Sequence, residues 1–371
     1  VPNKKKLCIV VNIILDKKGK IINSKVFRAF IVSKARLTYN EVENHINNNN
    51  SIKPKLALVI DNLYRVFKIL KDSSTSRGKI DLELDKDKIF MSNKSDNFEF
   101  VKTKNNESNK IIEELMILAN TTIAQKLLSK KTKTLFRNHE KPNKEKLSKL
   151  FDFLKNYGIK LKKTSFTKSK DFQYLLELRK NPNFKLIKEN ILKSQSKAYY
   201  HYNNKGHFGL SLKNYTHFTS PIRRYSDLMI HRNVVNNLIE VNTKNEVQIN
   251  DSLCEHLLTQ EKKSEKIERT ILEKAACLYL TKIKIKKFFG YIDGLTEFGI
   301  FIKAKDFPFS GLILLKDIKN DYYDFDQKKL CVYGRKNGII FKIGQKVSFK
   351  IKKNNVERGL IGLKNIEQIY D

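Results

Sequence analysis

Arg223 and Arg224 stand side by side in the stretch TSPIRRYSD. Guanidinium groups are planar forks that match phosphate or carboxylate oxygens two at a time, so adjacent arginines on one turn suit an anion. Ser220-Pro221 just upstream is a helix-start pair, with the serine as N-cap and the proline as first helical residue. That start would put both arginines in the first helical turn, where unpaired N–H groups and the positive dipole end already favour negative charge. Asp227 follows Arg223 by four residues and Arg224 by three, within reach to orient one of them, and His231 comes one turn later. An amphipathic helix with a solvated charge pair is the alternative. A second candidate is the pair Glu113 and Glu114 in IIEELMILANTTIAQKLL, a helix apolar nearly all round. A carboxylate buried on such a helix needs a partner, either a structural cation or a ligand.

The elements that must carry these residues are readable from periodicity. Residues 6–15 form an apolar, β-branched run closed by the turn DKKGK, and Ser24–Val32 reads as the returning strand of a hairpin. ARLTYNEVENHI predicts a helix ended by NNNNSIK, and Leu56–Asp72 has apolar residues at helical spacing. Residues 91–110 are polar and read as loop; 136–190 mix short helical stretches with basic loops. A long charged helix is expected from Asp251 to about Lys284. From Phe288 the pattern changes to short strands such as GIFIKA and KVSFKIK, the latter alternating Val347, Phe349 and Ile351 with polar residues. The expectation is an α+β body over 1–284 and a small all-β barrel over 285–371, with the boundary near 282–287.

Composition narrows the partners. The 371 residues carry 74 Lys+Arg against 39 Asp+Glu, a formal net charge of +35. Such an excess binds polyanions and makes nucleic acid the first partner to consider, although AT-rich coding also raises Lys, Asn and Ile. No apolar run approaches the roughly 20 residues that span a bilayer, so no membrane is expected. Cys8, Cys254, Cys277 and Cys331 are scattered without a C-x-x-C pair, which argues against a zinc knuckle or disulfide framework and fits a reducing cytoplasm.

GHFGL at 206, followed by HFTSPIRRYSDL and HR, resembles the signature of the RNB-domain exoribonucleases, on the ribonuclease R side of that family. Further similar segments follow in chain order: KLCIVV at 6, SKARLTYNEV at 33, SRGKIDLEL at 76, IIEELMILAN at 111 and LFRNHEKP at 135. GYIDGLTEFGIFI, GLILL and KNDYYDFD resemble the OB-type RNA-binding module at the C-terminus of these enzymes. The resemblance implies a partial RNB catalytic domain followed by an OB-fold barrel. It implies 3′-to-5′ hydrolysis of single-stranded or structured RNA to nucleoside 5′-monophosphates, by a cytoplasmic monomer using magnesium. In the family the magnesium is held by an aspartate cluster, D-x(5)-D-x-D-D, upstream of the KLCIVV strand. Only VPNKK stands upstream here, and the nearest imitation, Asp81, Asp85 and Asp87, has the wrong spacing. No metal ligand is therefore assigned in this chain.

By the same resemblance, Arg223 holds the scissile phosphate, with Arg224 beside it. Glu113 contacts the 3′-terminal ribose, and Glu273 is a carboxylate at the base of the RNA channel. Tyr39 stacks on RNA near the 3′ end. Leu82 stands where the family has a base-clamping phenylalanine, keeping an apolar wedge without a stacking face. Tyr291, Phe298 and Phe301 are the RNA-facing aromatics of the barrel, with period-2 geometry sending 299 and 301 to one face and 298 to the other. Leu314 replaces a histidine often found in the third strand. Two readings stay open: a ribonuclease R-like enzyme segment that lacks its aspartates, and an RNA-binding remnant without catalysis.

Overall fold

The computed structural model describes residues 3–47, 52–82, 86–91, 98–103, 106–161, 166–181, 183–240, 248–327 and 329–369. The chain divides into two compact units: residues 1–84 with 105–260, and residues 85–104 with 261–371. The fold is α+β with a closed barrel in the second unit.

The first unit begins with an antiparallel hairpin, β1 (Lys5–Leu15) and β2 (Ile21–Val32), reversed at Asp16–Lys20. Ile9, Val11 and Val26 pack on the core from one face. By register the other face carries Cys8, Val10 and Ile14 opposite Ala29, Phe27 and Asn23, and Phe27 and Ile14 are exposed. α1 (Tyr39–Ile46) opens with a reciprocal capping box, Thr38 bonding the Glu41 N–H and Glu41 the Thr38 N–H. α2 (Pro54–Arg77) starts on its proline and ends at Gly78, whose φ of +100° is the left-handed conformation a helix stop requires.

β3 (Lys86–Met91) and β4 (Phe98–Thr103) pair as a hairpin. The sequence reading of loop over 91–110 is thus corrected: β4 occupies part of it, and α3 (Glu107–Ser129) begins before its end. α3 is buried on most sides, as its apolar circumference predicts. β5 (Phe136–Asn138) pairs with β6 (Tyr199–His201), and α4 (Lys144–Asn156), the single turn α5 (Gln173–Leu176) and α6 (Phe184–Ser194) lie between them in the chain. α7 (Tyr225–Val234) runs into a π-turn at Val235–Ile239. The core of this unit joins Ile123 and Leu127 of α3, Leu135, Tyr200, Phe218 and Ile230.

α8 (Asp251–Thr281) is the long charged helix. In the second unit β7 (Phe288–Leu295), β8 (Gly299–Ala304), β9 (Ser310–Leu314), β13 (Lys346–Asn355) and β14 (Leu360–Gln368) close a barrel in the order β13-β14-β9-β8-β7. A three-stranded sheet of β10 (Tyr323–Asp326), β11 (Cys331–Gly334) and β12 (Ile340–Lys342) is inserted between β9 and β13. Ile292, Ile300, Ile302, Ile313, Val347 and Phe349 fill the barrel, and Ala276, Cys277 and Leu280 of α8 join the same core.

Candidate functional site

The SPIRR segment does not begin the helix as its sequence suggests. α7 starts at Tyr225 with Arg224 at the N-cap position, and Ser220 caps nothing through its side chain. The Ser220 carbonyl instead accepts the N–H groups of Arg223 (3.3 Å) and Arg224 (3.0 Å), and the Ser220 N–H donates to Asp227 Oδ1 at 2.9 Å. The Arg223 and Arg224 N–H groups thus end on the Ser220 carbonyl rather than on its hydroxyl, and the buried Asp227 carboxylate, 0% exposed, holds the turn through the Ser220 N–H. The arginines therefore sit on a tight turn ahead of the helix, not within its first turn.

The turn divides the two arginines. Arg224 Nη2 donates to Asp227 Oδ1 at 2.8 Å, and Ser226 Oγ donates to Asp227 Oδ2 at 3.1 Å. Arg223 is exposed, with no carboxylate at ion-pair distance among the described residues. Asp227 thus orients Arg224, one of the two options the spacing allowed. His231 turns inward, stacking on Phe218 with ring centroids 4.3 Å apart and donating through Nε2 to the Phe218 carbonyl.

Beneath this turn lies a network the sequence reading did not single out. Asn120 of α3, 1% exposed, donates to Tyr215 Oη at 3.1 Å and accepts the Phe218 N–H at 2.9 Å. Tyr200 Oη and His217 Nδ1 are hydrogen-bonded at 2.7 Å, and Arg137 lies over the Tyr200 ring at 4.5 Å. The rings of His139 and His207, then His207 and Tyr215, then Tyr215 and His217, follow at 4.9, 5.2 and 5.6 Å. Burial, then the charges of Arg224 and Arg137, push His217 down to about 2; burial, then His139 and Arg137, push His207 down to about 3. Both are neutral in the fold at any physiological pH, so the positive charge here belongs to arginine. The signal available in the sequence was Asn120, an amide inside an apolar helix that had to find a partner.

Glu113 and Glu114 are sorted in the same way. Glu114 is buried and Glu113 is not; both accept from Lys79 Nζ, at 2.8 and 2.6 Å. The partner is therefore a structural cation, a lysine from the SRGKIDLEL segment. Burial pulls the Lys79 ammonium down, but the two carboxylates outweigh it and hold its pKa above the ordinary lysine value. A cleft of about 420 Å³ opens here, lined among others by Lys71, Lys79, Asp81, Lys110, Glu113 and Glu177. Leu82, half-buried, follows Asp81. Tyr39 opens α1 with half its surface exposed.

Glu273 lies on the part of α8 that belongs to the second unit, ion-paired with Arg269 at 3.7 Å. In the barrel, Tyr291 is 9% exposed and is paired by register with Lys303 on one side and Lys346 on the other, the face opposite Ile292 and Ile302. Phe301 shares that face. Phe298 is not opposite it: the two rings meet edge to face at 6.1 Å. Phe298 precedes β8 in the Thr296–Gly299 turn, where strand alternation does not apply. Phe298 is 57% exposed and Leu314 half-buried.

Among the described residues no three or more His, Cys, Asp or Glu side chains gather to hold a metal, and Asp85 lies outside those residues. The described residues do not fit the magnesium that the resemblance implies. Among the described residues no helix is long and apolar enough to cross a membrane.

With this geometry established, comparison with known proteins places it. The RNB domain family model matches residues 1–240, and the chain belongs to the RNB domain family. It is 30% identical to ribonuclease R of Escherichia coli strain K12 over 372 aligned residues, covering 96% of this chain and 46% of that protein. The apo form of Mycoplasma genitalium RNase R superposes with a TM-score of 0.91 at 28% identity, covering 98% of this chain and 58% of that one. The same enzyme in complex with ribose-methylated single-stranded RNA gives the same score and coverage. The chain spans about half the length of the curated relatives it matches.

Proposed function

We propose that this chain is the RNA-gripping portion of a ribonuclease R-type 3′-to-5′ exoribonuclease. Arg223 meets the scissile phosphate, Glu113 the 3′-terminal ribose, and Tyr39 and Leu82 the terminal bases. Glu273 lines the channel, and residues 285–371 form an OB-type module offering Phe298 and Phe301, with Tyr291, 9% exposed, backing the same face. The observation that carries this reading is the division of labour in SPIRR: Arg224 is neutralised by Asp227, leaving Arg223 as an exposed guanidinium on a fixed turn. A preorganised donor of that kind serves the charge that develops on a reacting phosphate. The lysine-flanked aromatic face of the barrel favours stacking with little sequence preference.

By this reading the enzyme is cytoplasmic, and magnesium would be held by aspartates of a segment ahead of the Lys5 strand, where it would supply charge neutralisation at the phosphate. In a protein carrying that segment, Arg223→Ala should lower turnover by roughly 10²-fold or more beyond a roughly tenfold loss of affinity. Arg223→Lys should recover only part of it, because a point charge lacks the bidentate fork. Near-normal turnover with markedly weaker binding would make Arg223 an ordinary backbone clamp. The other reading, an RNA-binding remnant without catalysis, draws on Leu82 in place of a phenylalanine.

A further inference from the structure

We propose that Asp227 is a positioning residue for RNA binding: its buried carboxylate clamps Arg224 and the SPIRR turn so that Arg223 is presented to a phosphate. The inference rests on the reading that Arg223 contacts RNA, and goes beyond it by assigning different work to the neighbouring arginine and to the aspartate.

Three donors converge on Asp227. Oδ1 accepts the Ser220 N–H at 2.9 Å and Arg224 Nη2 at 2.8 Å, and Oδ2 accepts Ser226 Oγ at 3.1 Å. Ser220 is in turn bonded at its other end, since its carbonyl takes the N–H groups of Arg223 and Arg224. The backbone from 220 to 227 is thereby closed on itself, with Arg223 inside the closed segment. Arg224 is fixed chiefly by this carboxylate, because its Nε is buried and has no protein partner. Asp227 itself has no exposed surface, and a carboxylate would repel RNA, so any effect it has on RNA binding must pass through the turn. A charge-assisted bond to a fully buried acceptor is the strong kind, able to hold the turn against thermal motion. Two adjacent arginines with the same chemistry thus acquire different tasks, one as a strut and one as a ligand.

The test is a thermodynamic cycle on the full chain, with binding of a fluorescein-labelled oligoadenylate read by anisotropy and folding read by thermal melting. In the wild-type background Arg223→Ala should weaken binding roughly tenfold and reduce the slope of log K against log salt by about 0.7, the share of one phosphate on a single strand. In the Asp227→Asn background, where the clamp loses its charge but keeps its shape, the same Arg223→Ala change should cost no more than about twofold. If Asp227→Asn does not fold, Arg224→Lys replaces it in the cycle, since it keeps the positive charge and loses the fork. Equal losses in both backgrounds would overturn the inference and leave Asp227 as fold support. Tighter binding on Asp227→Asn would overturn it as well, showing that the aspartate merely masks Arg224. A wild-type chain that does not bind the oligonucleotide, or that binds it equally well without Arg223, overturns the underlying reading instead.

Discussion

Lys79 Nζ stands 2.8 Å from the carboxylate of Glu114, and each of these side chains is less than a tenth exposed. The pair joins the segment after α2 to α3, with Glu113 as a second, more exposed acceptor at 2.6 Å. Ser74 Oγ adds a donor to Glu114 at 3.3 Å. Glu113, the carboxylate proposed to meet the ribose, thus shares its lysine with one that holds the fold together.

Removing the cation from this pair should be costly. Lys79→Met leaves Glu114 buried without its counter-charge, and losses of about 3–5 kcal/mol are usual for a broken buried pair. Because the folded Lys79 has a raised pKa, its stabilising effect is complete below the ordinary lysine range and is lost only as pH climbs through the higher folded value. Urea denaturation of wild type and variant should therefore show a constant gap from neutral pH to about 9 that narrows only above about 10.4. A gap that closes near neutrality would show that the pair is not what Lys79 provides.

The histidine network makes the opposite dependence. His217 and His207 titrate near 2 and 3 when folded, against about 6.5 when unfolded, so the unfolded chain binds the extra protons. Stability should fall as pH drops below about 6.5, with each histidine contributing up to about 1.4 kcal/mol per pH unit. His217→Gln should flatten the profile between pH 6 and about 5, ahead of most carboxylate titration. An unchanged slope would mean that His217 is solvated in the folded chain.

Tyr39 offers an exposed ring at the start of a well-capped helix. Tyr39→Ala should weaken binding of single-stranded RNA by about 1–3 kcal/mol, the value of one stacked base, without changing the salt slope. Tyr39→Phe should bind like wild type. Anisotropy titrations at several salt concentrations separate the two effects.

Incubation of the chain with 3′-labelled single-stranded RNA and magnesium should release no labelled monophosphate, since the described residues gather no metal-holding cluster. Release above a protein-free control would place a metal site outside the described residues.

Gly299 in EFGIF is required by close backbone approach. A methyl group there would stand 2.5 Å from the Ile313 carbonyl and 2.7 Å from Leu312 Cδ1 of the neighbouring β9. Gly299→Ala should destabilise the barrel by about 1–3 kcal/mol in denaturant unfolding, the range for overpacking a tight site.

Signals carried by neighbouring residues were legible before any coordinates. An apolar, β-branched run and its turn marked β1 and β2, alternation marked β13, and the apolar circumference of α3 announced its burial. The motif order from KLCIVV to KNDYYDFD pointed to the family, because each segment is a short local string. Pairings between distant residues were not legible. Lys79 with Glu114, Asn120 with Tyr215 and Tyr200 with His217 join residues 35, 95 and 17 positions apart, and no period in the chain encodes which side chains the packing brings together. Even the local reading of Ser220-Pro221 as a helix start was overruled. The buried Asp227 carboxylate takes the Ser220 N–H and the Arg224 guanidinium and so closes a turn ahead of the helix, and its burial is a property of the folded core around α7. Residue types and spacing determined which groups were available for an anion, and tertiary burial decided which of the two arginines was free to meet it.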